Sequence, residues 1–153
     1  MSELKWRIKK MEFTSKSEHA IHGVYYLSNK PENMVVYVSE IAREQNVSES
    51  YLAKIFQALS KAGLVSSYRG SKGGYTLSKR PEDINLKEIV GAVESTNPIF
   101  NCSGVKSNCS INIQCMILET FQAAEDKMFE VLESVTMKGI ADQLAGQPIY
   151  IEN

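Results

Sequence analysis

The sequence predicts a mainly α-helical fold with a small β wing, and three patterns support this class. Apolar residues recur every three or four positions in several segments, as they do in amphipathic helices. Two short segments with alternating apolar residues flank the run RGSKGG, whose glycines suit a hairpin turn. A longer amphipathic segment near the C-terminus extends over roughly five helical turns. We therefore expect a small helical domain that carries a β hairpin and is followed by one long helix.

Composition limits the class of protein further. The 153 residues are 43% hydrophobic and 23% charged, which excludes disordered and low-complexity chains and fits one compact domain with an appendage. No apolar run approaches the roughly 18 to 20 residues that span a bilayer. Residues 1–10 form a basic N-terminal extension without the apolar stretch of a signal peptide. These features predict a cytoplasmic protein that does not enter the membrane.

The first helix is predicted over residues 14–27. Its apolar stripe contains Ile21, Val24 and Tyr25 at helical spacing. Pro31 lies in the polar segment that follows and marks the end of the helix.

Two further helices, separated by a short turn, come next. The segment VSEIARE (38–44) predicts a short helix. Ser48 or Ser50 is the candidate cap of a longer helix that runs to Ala62, where Gly63 is a stop signal. Two helices joined by so short a turn resemble a helix-turn-helix, the DNA-binding motif whose second helix enters the major groove.

The hairpin completes a predicted winged helix-turn-helix domain over residues 11–94. Its strands are predicted over 64–68 and 75–77, on either side of the glycine-rich turn. The segment LKEIVGAV (86–93) predicts one more helix. The hairpin is the wing, which can reach a groove beside the recognition helix.

The recognition helix and the wing turn supply candidate DNA-binding residues. Their side chains can donate hydrogen bonds to phosphates or base edges, and the wing glycines let the backbone approach closely. The alternative is that the tyrosine packs on the scaffold helix and the wing arginine is only solvated. The candidates are Ser48, Ser50, Tyr51, Lys54, Arg69, Gly70 and Lys72.

Charge is distributed unevenly, although the net charge is only −1. Residues 1–80 contain 13 Lys and Arg against 7 acidic residues, a net charge of +6, whereas residues 81–153 contain 4 against 11, a net charge of −7. Clustered positive charge gains affinity for phosphates because binding releases condensed counterions. Double-stranded DNA is therefore the expected partner of the basic half, although two ordinary solvated faces would give the same counts.

Three cysteines lie in a polar segment that is predicted as an irregular loop over residues 95–114. Cys102, Cys109 and Cys115 have the spacing C-x6-C-x5-C in a stretch rich in Ser, Asn and Gly. An odd number of cysteines in a chain without a secretory signal favours free thiols or a metal site over disulfides. Thiolates are the ligands of iron–sulfur clusters, and structural zinc is less favoured because no Cys-x2-Cys pair is present.

The segment 115–135 predicts a dimerisation helix. Leu118, Phe121 and Met128 recur on its apolar face at helical spacing. A homodimer is the simplest way to cover so long a face at the end of a small domain, because the closed two-fold arrangement is the commonest oligomer. Residues 115–145 are interpreted as this helix followed by a C-terminal helix.

The segment SEIAREQNVSESYLAKIFQALSKAGLVSSYRGSKGGYTLSKRPEDINLKEIVGAVE resembles the core of the Rrf2 family of bacterial winged-helix regulators. The resemblance extends over about residues 11–135, and its most specific part is the wing with the helix that follows it. It implies a dimeric transcriptional regulator that binds palindromic DNA, and many members carry an iron–sulfur cluster that changes DNA affinity. Ala53 and Lys54 replace an acid and an amide of one cluster-binding member, so operator preference does not carry over.

The resemblance also implies how a cluster on three cysteines is completed. One type of member uses a His three residues after the last Cys, a position that is Leu118 here, which excludes that solution. Another type uses an acid from the first helix of the other subunit, and Glu18 matches it. In a third type this acid is Glu and a His follows four residues later, as His22 does here. The implied ligands are Cys102, Cys109, Cys115, Glu18 and His22, and the implied cofactor is a 4Fe-4S or 2Fe-2S cluster.

The sequence thus favours a dimeric DNA-binding regulator whose operator affinity follows the state of an iron–sulfur cluster that senses redox, nitric oxide or iron status. The alternative is a cluster-free regulator of the same fold, controlled by its thiols or by a partner protein. An enzyme is not expected, because no Ser/His/Asp set, nucleotide-binding loop or catalytic carboxylate pair is present at useful spacing.

Overall fold

The computed structural model describes residues 13–70, 73–94, 98, 100 and 115–145. Within these ranges the chain forms six α-helices, a two-stranded antiparallel sheet and a 3-10 turn at Pro81–Asp83. The elements are α1 (Ser15–Ser28), α2 (Val38–Glu44), α3 (Glu49–Lys61), β1 (Val65–Tyr68), β2 (Gly74–Leu77), α4 (Leu86–Val93), α5 (Met116–Glu133) and α6 (Met137–Leu144). The predicted class, mainly α-helical with a small β wing, is confirmed.

Local signals set the ends of the helices. The side chain of Thr14 caps α1 by accepting a hydrogen bond from the backbone N–H of Lys16. Ser48, rather than Ser50, caps α3. Gly63 has a φ of +75°, in the left-handed region that ends a helix and favours glycine. The predicted bounds of α2 and α4 match those in the structure.

The hairpin forms the predicted wing and is also tied to the rest of the domain. β1 and β2 pair in antiparallel register, with Tyr68 opposite Gly74. Val36, in the loop before α2, exchanges two backbone hydrogen bonds with Tyr75, at N···O distances of 2.9 and 2.8 Å. The loop between α1 and α2 therefore extends the small sheet by one bridge and ties β2, near its turn end, to the rest of the domain.

A single hydrophobic core lies between α1, α3, α4 and the sheet. Phe56 of α3 is fully buried against Gly23 of α1, where an added Cβ atom would lie 2.7 Å from the phenyl ring. This close contact needs glycine and sets the spacing of the two helices. The largest fully buried side chains are Val24, Val36, Ile41, Leu52, Phe56, Leu59, Leu64, Val65, Ile84, Ile89 and Met137.

The C-terminal helix α6 returns to this core. Met137 is fully buried, and its N–H donates to the carbonyl oxygen of Ile84 at 2.8 Å. The N–H of Leu86 donates to the carbonyl oxygen of Val135 at 3.0 Å. The chain that follows α5 is therefore packed onto the winged domain.

The long helix α5 has a different environment. None of its 18 residues is buried against the described part of the chain. Its N-terminal half is exposed throughout, including Met116 at 79%, Ile117 at 59% and Phe121 at 41%. No helix in the described ranges has both the length and the apolar character needed to cross a membrane.

Candidate nucleic-acid interface and metal ligands

The recognition helix α3 is divided into two faces. Leu52, Ile55, Phe56 and Leu59 are buried in the core. The opposite face is an exposed polar stripe at four- and three-residue steps, formed by Ser50, Lys54, Gln57 and Lys61. We call these four residues the polar stripe. Its groups can contact phosphate oxygens and base edges when the helix enters a groove.

Two members of the polar stripe, Gln57 and Lys61, were not among the residues that the sequence predicts for DNA binding. Within the helix, the predicted residues extend only as far as Lys54. Both residues are exposed, and they continue the spacing that starts at Ser50 and Lys54. Helical periodicity extended through the second and third turns would have identified them.

The structure shows two environments for the polar residues at the start of α3. The Ser48 hydroxyl accepts a hydrogen bond from the backbone N–H of Tyr51 at 3.3 Å, so it stabilises the helix end. The Tyr51 ring packs edge-on against the His19 ring of α1, with centroids 5.6 Å apart, and its hydroxyl lies 3.5 Å from the Ser15 Oγ. Tyr51 therefore joins the start of α3 to α1.

His19 joins α1 to the helix-turn-helix at a second point. Its Nδ1 lies 2.7 Å from the Oε1 of Gln45, in the turn between α2 and α3. The Gln45 side-chain amide donates to the His19 carbonyl oxygen at 3.2 Å. The first half of α1 is thus in contact with both the turn and the recognition helix.

The wing carries its candidate residues just beyond β1. Arg69 and Gly70 are exposed, and Gly70 has a φ of +108°, as expected in a tight turn. Lys72 lies outside the described residues. Tyr68, at the end of β1, is 51% exposed and adds an aromatic hydroxyl to the same end of the wing.

The candidate metal ligands of α1 lie on one face of the helix. Glu18 is exposed, and His22 is half-buried one turn later. Burial lowers the pKa of His22, the Glu18 carboxylate opposes that change, and His19 adds to it. At neutral pH the imidazole is therefore neutral, the form that binds a metal ion.

Only one of the three cysteines lies within the described ranges. Cys115 is a free, partly exposed thiol at the N-cap position of α5, and Cys102 and Cys109 fall outside. The described residues contain no group of three or more His, Cys, Asp and Glu side chains placed to hold a metal ion, so Cys115, Glu18 and His22 do not form such a group. The chemistry of the set still fits an iron–sulfur cluster, which accepts thiolate and imidazole ligands.

Comparison with known proteins places this geometry in a family. The family model Rrf2, described as an iron-dependent transcriptional regulator, matches residues 13–143. An HTH-type transcriptional regulator of Neisseria meningitidis is 33% identical over 133 residues, which are 87% of this chain and 89% of that protein. IscR of Escherichia coli O1:K1, also an HTH-type regulator, is 32% identical over 127 residues, 83% of this chain and 78% of IscR.

The fold agrees with a solved structure. CymR, the global cysteine regulator of B. subtilis, aligns with a TM-score of 0.69 and 26% identity, over 87% of this chain and 98% of that one. The relatives that match are transcriptional regulators and not enzymes. Because the family model matches most of the chain, the protein belongs to the Rrf2 family of winged-helix transcriptional regulators.

Proposed function

We propose that the protein is a homodimeric regulator that binds a palindromic DNA operator through α3 and the wing, and that an iron–sulfur cluster controls its affinity. The observation that carries DNA reading is the polar stripe of α3. It is exposed while the opposite face of the same helix is buried, so the winged domain presents polar groups on the element that enters the major groove in such folds.

Dimerisation through α5 is supported by its exposed apolar side chains. Met116, Ile117, Leu118 and Phe121 lie within two turns and are 39% to 79% exposed. An apolar patch of this kind is typical of an interaction surface, and a second copy is the simplest partner because each copy offers the same patch. A two-fold dimer would place two recognition helices on the two halves of a palindrome.

The cluster is assigned to the cysteine segment and α1. Cys102, Cys109 and Cys115 supply three thiolates, and residues 95–118 contain no further Cys, His, Asp or Glu. A fourth protein ligand must therefore come from elsewhere, and Glu18 of the partner subunit, with His22 as an added ligand or a hydrogen-bond donor, is the proposed source. When bound, the cluster supplies a redox- and nitric-oxide-sensitive group whose state can change the position of α1.

A second function within the same fold is control by thiols alone. The similarity to CymR, described as a global cysteine regulator, favours it, and so does the partly exposed free thiol of Cys115. Oxidation of the cysteines, or binding of a partner protein to their segment, would then replace the cluster as the signal.

Anaerobic purification separates the two functions. The cluster proposal predicts a coloured protein with visible absorbance and stoichiometric iron and sulfide, and loss of this absorbance in Cys109→Ala. Glu82→Gln, a surface change on the 3-10 turn, is the control that keeps the colour. Protein that stays colourless after reconstitution with iron and sulfide would exclude the cluster and favour the thiol function.

A single variant distinguishes the two cluster types. If all three cysteines and Glu18 hold a 4Fe-4S cluster, Cys102→Ala abolishes or converts it. If Cys109, Cys115, Glu18 and His22 hold a 2Fe-2S cluster, Cys102→Ala retains the wild-type spectrum. We favour three-cysteine ligation, because Cys102 lies in the same segment as the other two.

A further inference from the structure

Glu94 connects the cysteine segment to the first helix. It is the C-cap residue of α4 and directly precedes residues 95–114. One oxygen of its carboxylate, Oε1, accepts hydrogen bonds from the Thr14 N–H at 2.8 Å, the Thr14 hydroxyl at 2.8 Å and the Ser17 hydroxyl at 2.7 Å. Three donors from the start of α1 thus converge on a single oxygen.

This contact is more than a surface hydrogen bond. The Ser17 side chain is only 3% exposed, so its hydroxyl is held inside the structure and needs a partner. Burial alone raises the pKa of Glu94, but the hydrogen bonds from Ser17 and Thr14 outweigh this and keep the pKa below its ordinary value. The carboxylate is therefore ionised at neutral pH, the form in which all three bonds are strongest.

The same turns of α1 contact the DNA-reading element on another side. The Ser15 hydroxyl lies beside the Tyr51 hydroxyl, and the His19 ring packs on the Tyr51 ring. Tyr51 lies in the first turn of α3. It follows Ser50 and precedes Lys54 by about one turn, and both of these exposed residues belong to the polar stripe. The start of α1 is therefore in contact both with the entrance to the cysteine segment and with the N-terminal end of the recognition helix.

We propose that Glu94 is a positioning residue that transmits the state of the cysteine segment to the recognition helix. Its carboxylate holds the first turn of α1 against the end of α4, where the chain enters residues 95–114. Because Tyr51 contacts Ser15 and His19, a displacement of α1 would also move the start of α3. This role rests on the proposed control of DNA binding by the cysteines, but it holds for a cluster and for free thiols alike. It differs from metal ligation by Glu18, because Glu94 acts through hydrogen bonds within its own chain.

The test is a cycle of variants in the full-length protein. The dissociation constant is measured anaerobically by fluorescence anisotropy, on a DNA duplex selected by the wild-type protein from a random pool. The four proteins are wild type, Glu94→Ala, the triple Cys→Ala variant, and the combination. With a coupling of ordinary size, we expect the triple Cys→Ala change to shift the dissociation constant about tenfold when it is made in the wild type. The same change made in Glu94→Ala should shift it by less than about twofold. Each shift is given as the ratio of the dissociation constants measured with and without the three cysteines.

Three further variants show that the effect depends on the hydrogen bonds and not on folding. Glu94→Gln retains an acceptor oxygen and should retain most of the tenfold ratio. Ser17→Ala removes one donor and leaves the charge, so it should reduce the ratio partially even where Glu94→Ala is too unstable to use. Glu82→Gln removes an exposed carboxylate of the 3-10 turn, which pairs with Arg80, and should leave the ratio unchanged. Thermal unfolding of each variant confirms that the compared proteins are folded.

The outcomes separate this inference from the proposed function. A ratio that stays near tenfold in both Glu94→Ala and Ser17→Ala overturns the role of Glu94 and leaves control by cysteines intact. A ratio near one in the wild-type background overturns control by cysteines and, with it, the transmission through Glu94.

Discussion

The winged domain and the long helix α5 obtain their stability in different ways. In the winged domain each helix buries an apolar face within the same chain, and Phe56, Leu52 and Ile41 are fully buried. In α5, apolar residues of the same kind remain exposed, with Ile117 at 59%. An amphipathic helix without a partner for its apolar face is poorly stabilised in water, because most helical stability in proteins comes from packing. The apolar faces of the first region are therefore covered within one chain, whereas much of the apolar face of α5 is left exposed by the described residues.

The strongest way to test this contrast is to remove a core side chain. Phe56→Ala should lower the free energy of unfolding by about 3–5 kcal/mol, because it deletes a large buried ring and leaves a cavity against Gly23. Urea denaturation followed by circular dichroism measures the change. Phe129→Ala, on the half-buried part of α5, is the matched control and should cost clearly less. Equal losses would contradict the assignment of the core to the winged domain.

The next largest effect is expected on the association. Ile117→Asp puts a charge into the exposed apolar patch of α5 and should convert a dimer into a monomer that retains the wild-type helical content. Burial of an unpaired carboxylate in the interface opposes dimerisation, whereas the same side chain is solvated in the monomer. Sedimentation velocity measures the mass.

The control for this change lies on the same helix. Gln122→Asp introduces the same charge at an exposed polar position of α5 and should leave the dimer intact. A dimer that persists in Ile117→Asp would show that another surface holds the two copies together.

Substitutions of basic residues in the winged domain should weaken DNA binding without changing the dimer. Lys54→Ala removes a charge from the polar stripe, and Arg69→Ala removes one from the wing. Each should weaken operator binding and, if the side chain contacts a phosphate, reduce the slope of log affinity against log salt by about 1. Lys127→Ala, on the exposed surface of α5, is the charge-matched control with an unchanged slope. Unchanged affinity in both test variants would exclude this docking face.

Features of the winged domain that depend on neighbouring residues could be predicted from the sequence. The bounds of α2 and α4 and the Gly63 stop follow from signals within a few residues, and the structure confirms them. The sequence left Ser48 and Ser50 open as the cap of α3, and the structure selects Ser48. The role of Tyr51 is harder to predict, because an aromatic hydroxyl in the first turn of a helix can contact either a phosphate or a neighbouring helix. The contact with His19 depends on how α1 crosses α3.

Contacts between distant segments could not be predicted locally. The partners of Glu94 are 77 and 80 residues away along the chain, and the backbone pairing of Met137 with Ile84 joins the C-terminal helix to a loop. No periodicity encodes such pairs, since they arise only when the elements pack. The ligand assignment of Glu18 and His22 stays a prediction for the same reason, because it depends on how two copies of the chain meet.

The smallest expected effect is on how the free energy of unfolding depends on pH, and it involves the contact of Glu94 with the start of α1. The pKa of Glu94 is lowered in the folded protein relative to its ordinary value of 4.5, so the unfolded chain binds more protons over the range below that value. The stability contributed by the ionised carboxylate is therefore fully present above pH 4.5 and is lost as the pH falls through the folded-state pKa. Because Glu94 is partly exposed, solvent screening keeps this contribution small.

Glu94→Gln cannot titrate at this position, so its free energy of unfolding should fall less steeply than that of the wild type between pH 5 and pH 3, a window drawn about the ordinary carboxyl pKa. Urea denaturation at several pH values measures both slopes, and Glu130→Gln, an exposed change on α5, should retain the wild-type slope. Identical slopes for Glu94→Gln and wild type would mean that the hydrogen bonds from Thr14 and Ser17 do not stabilise the charged form in solution.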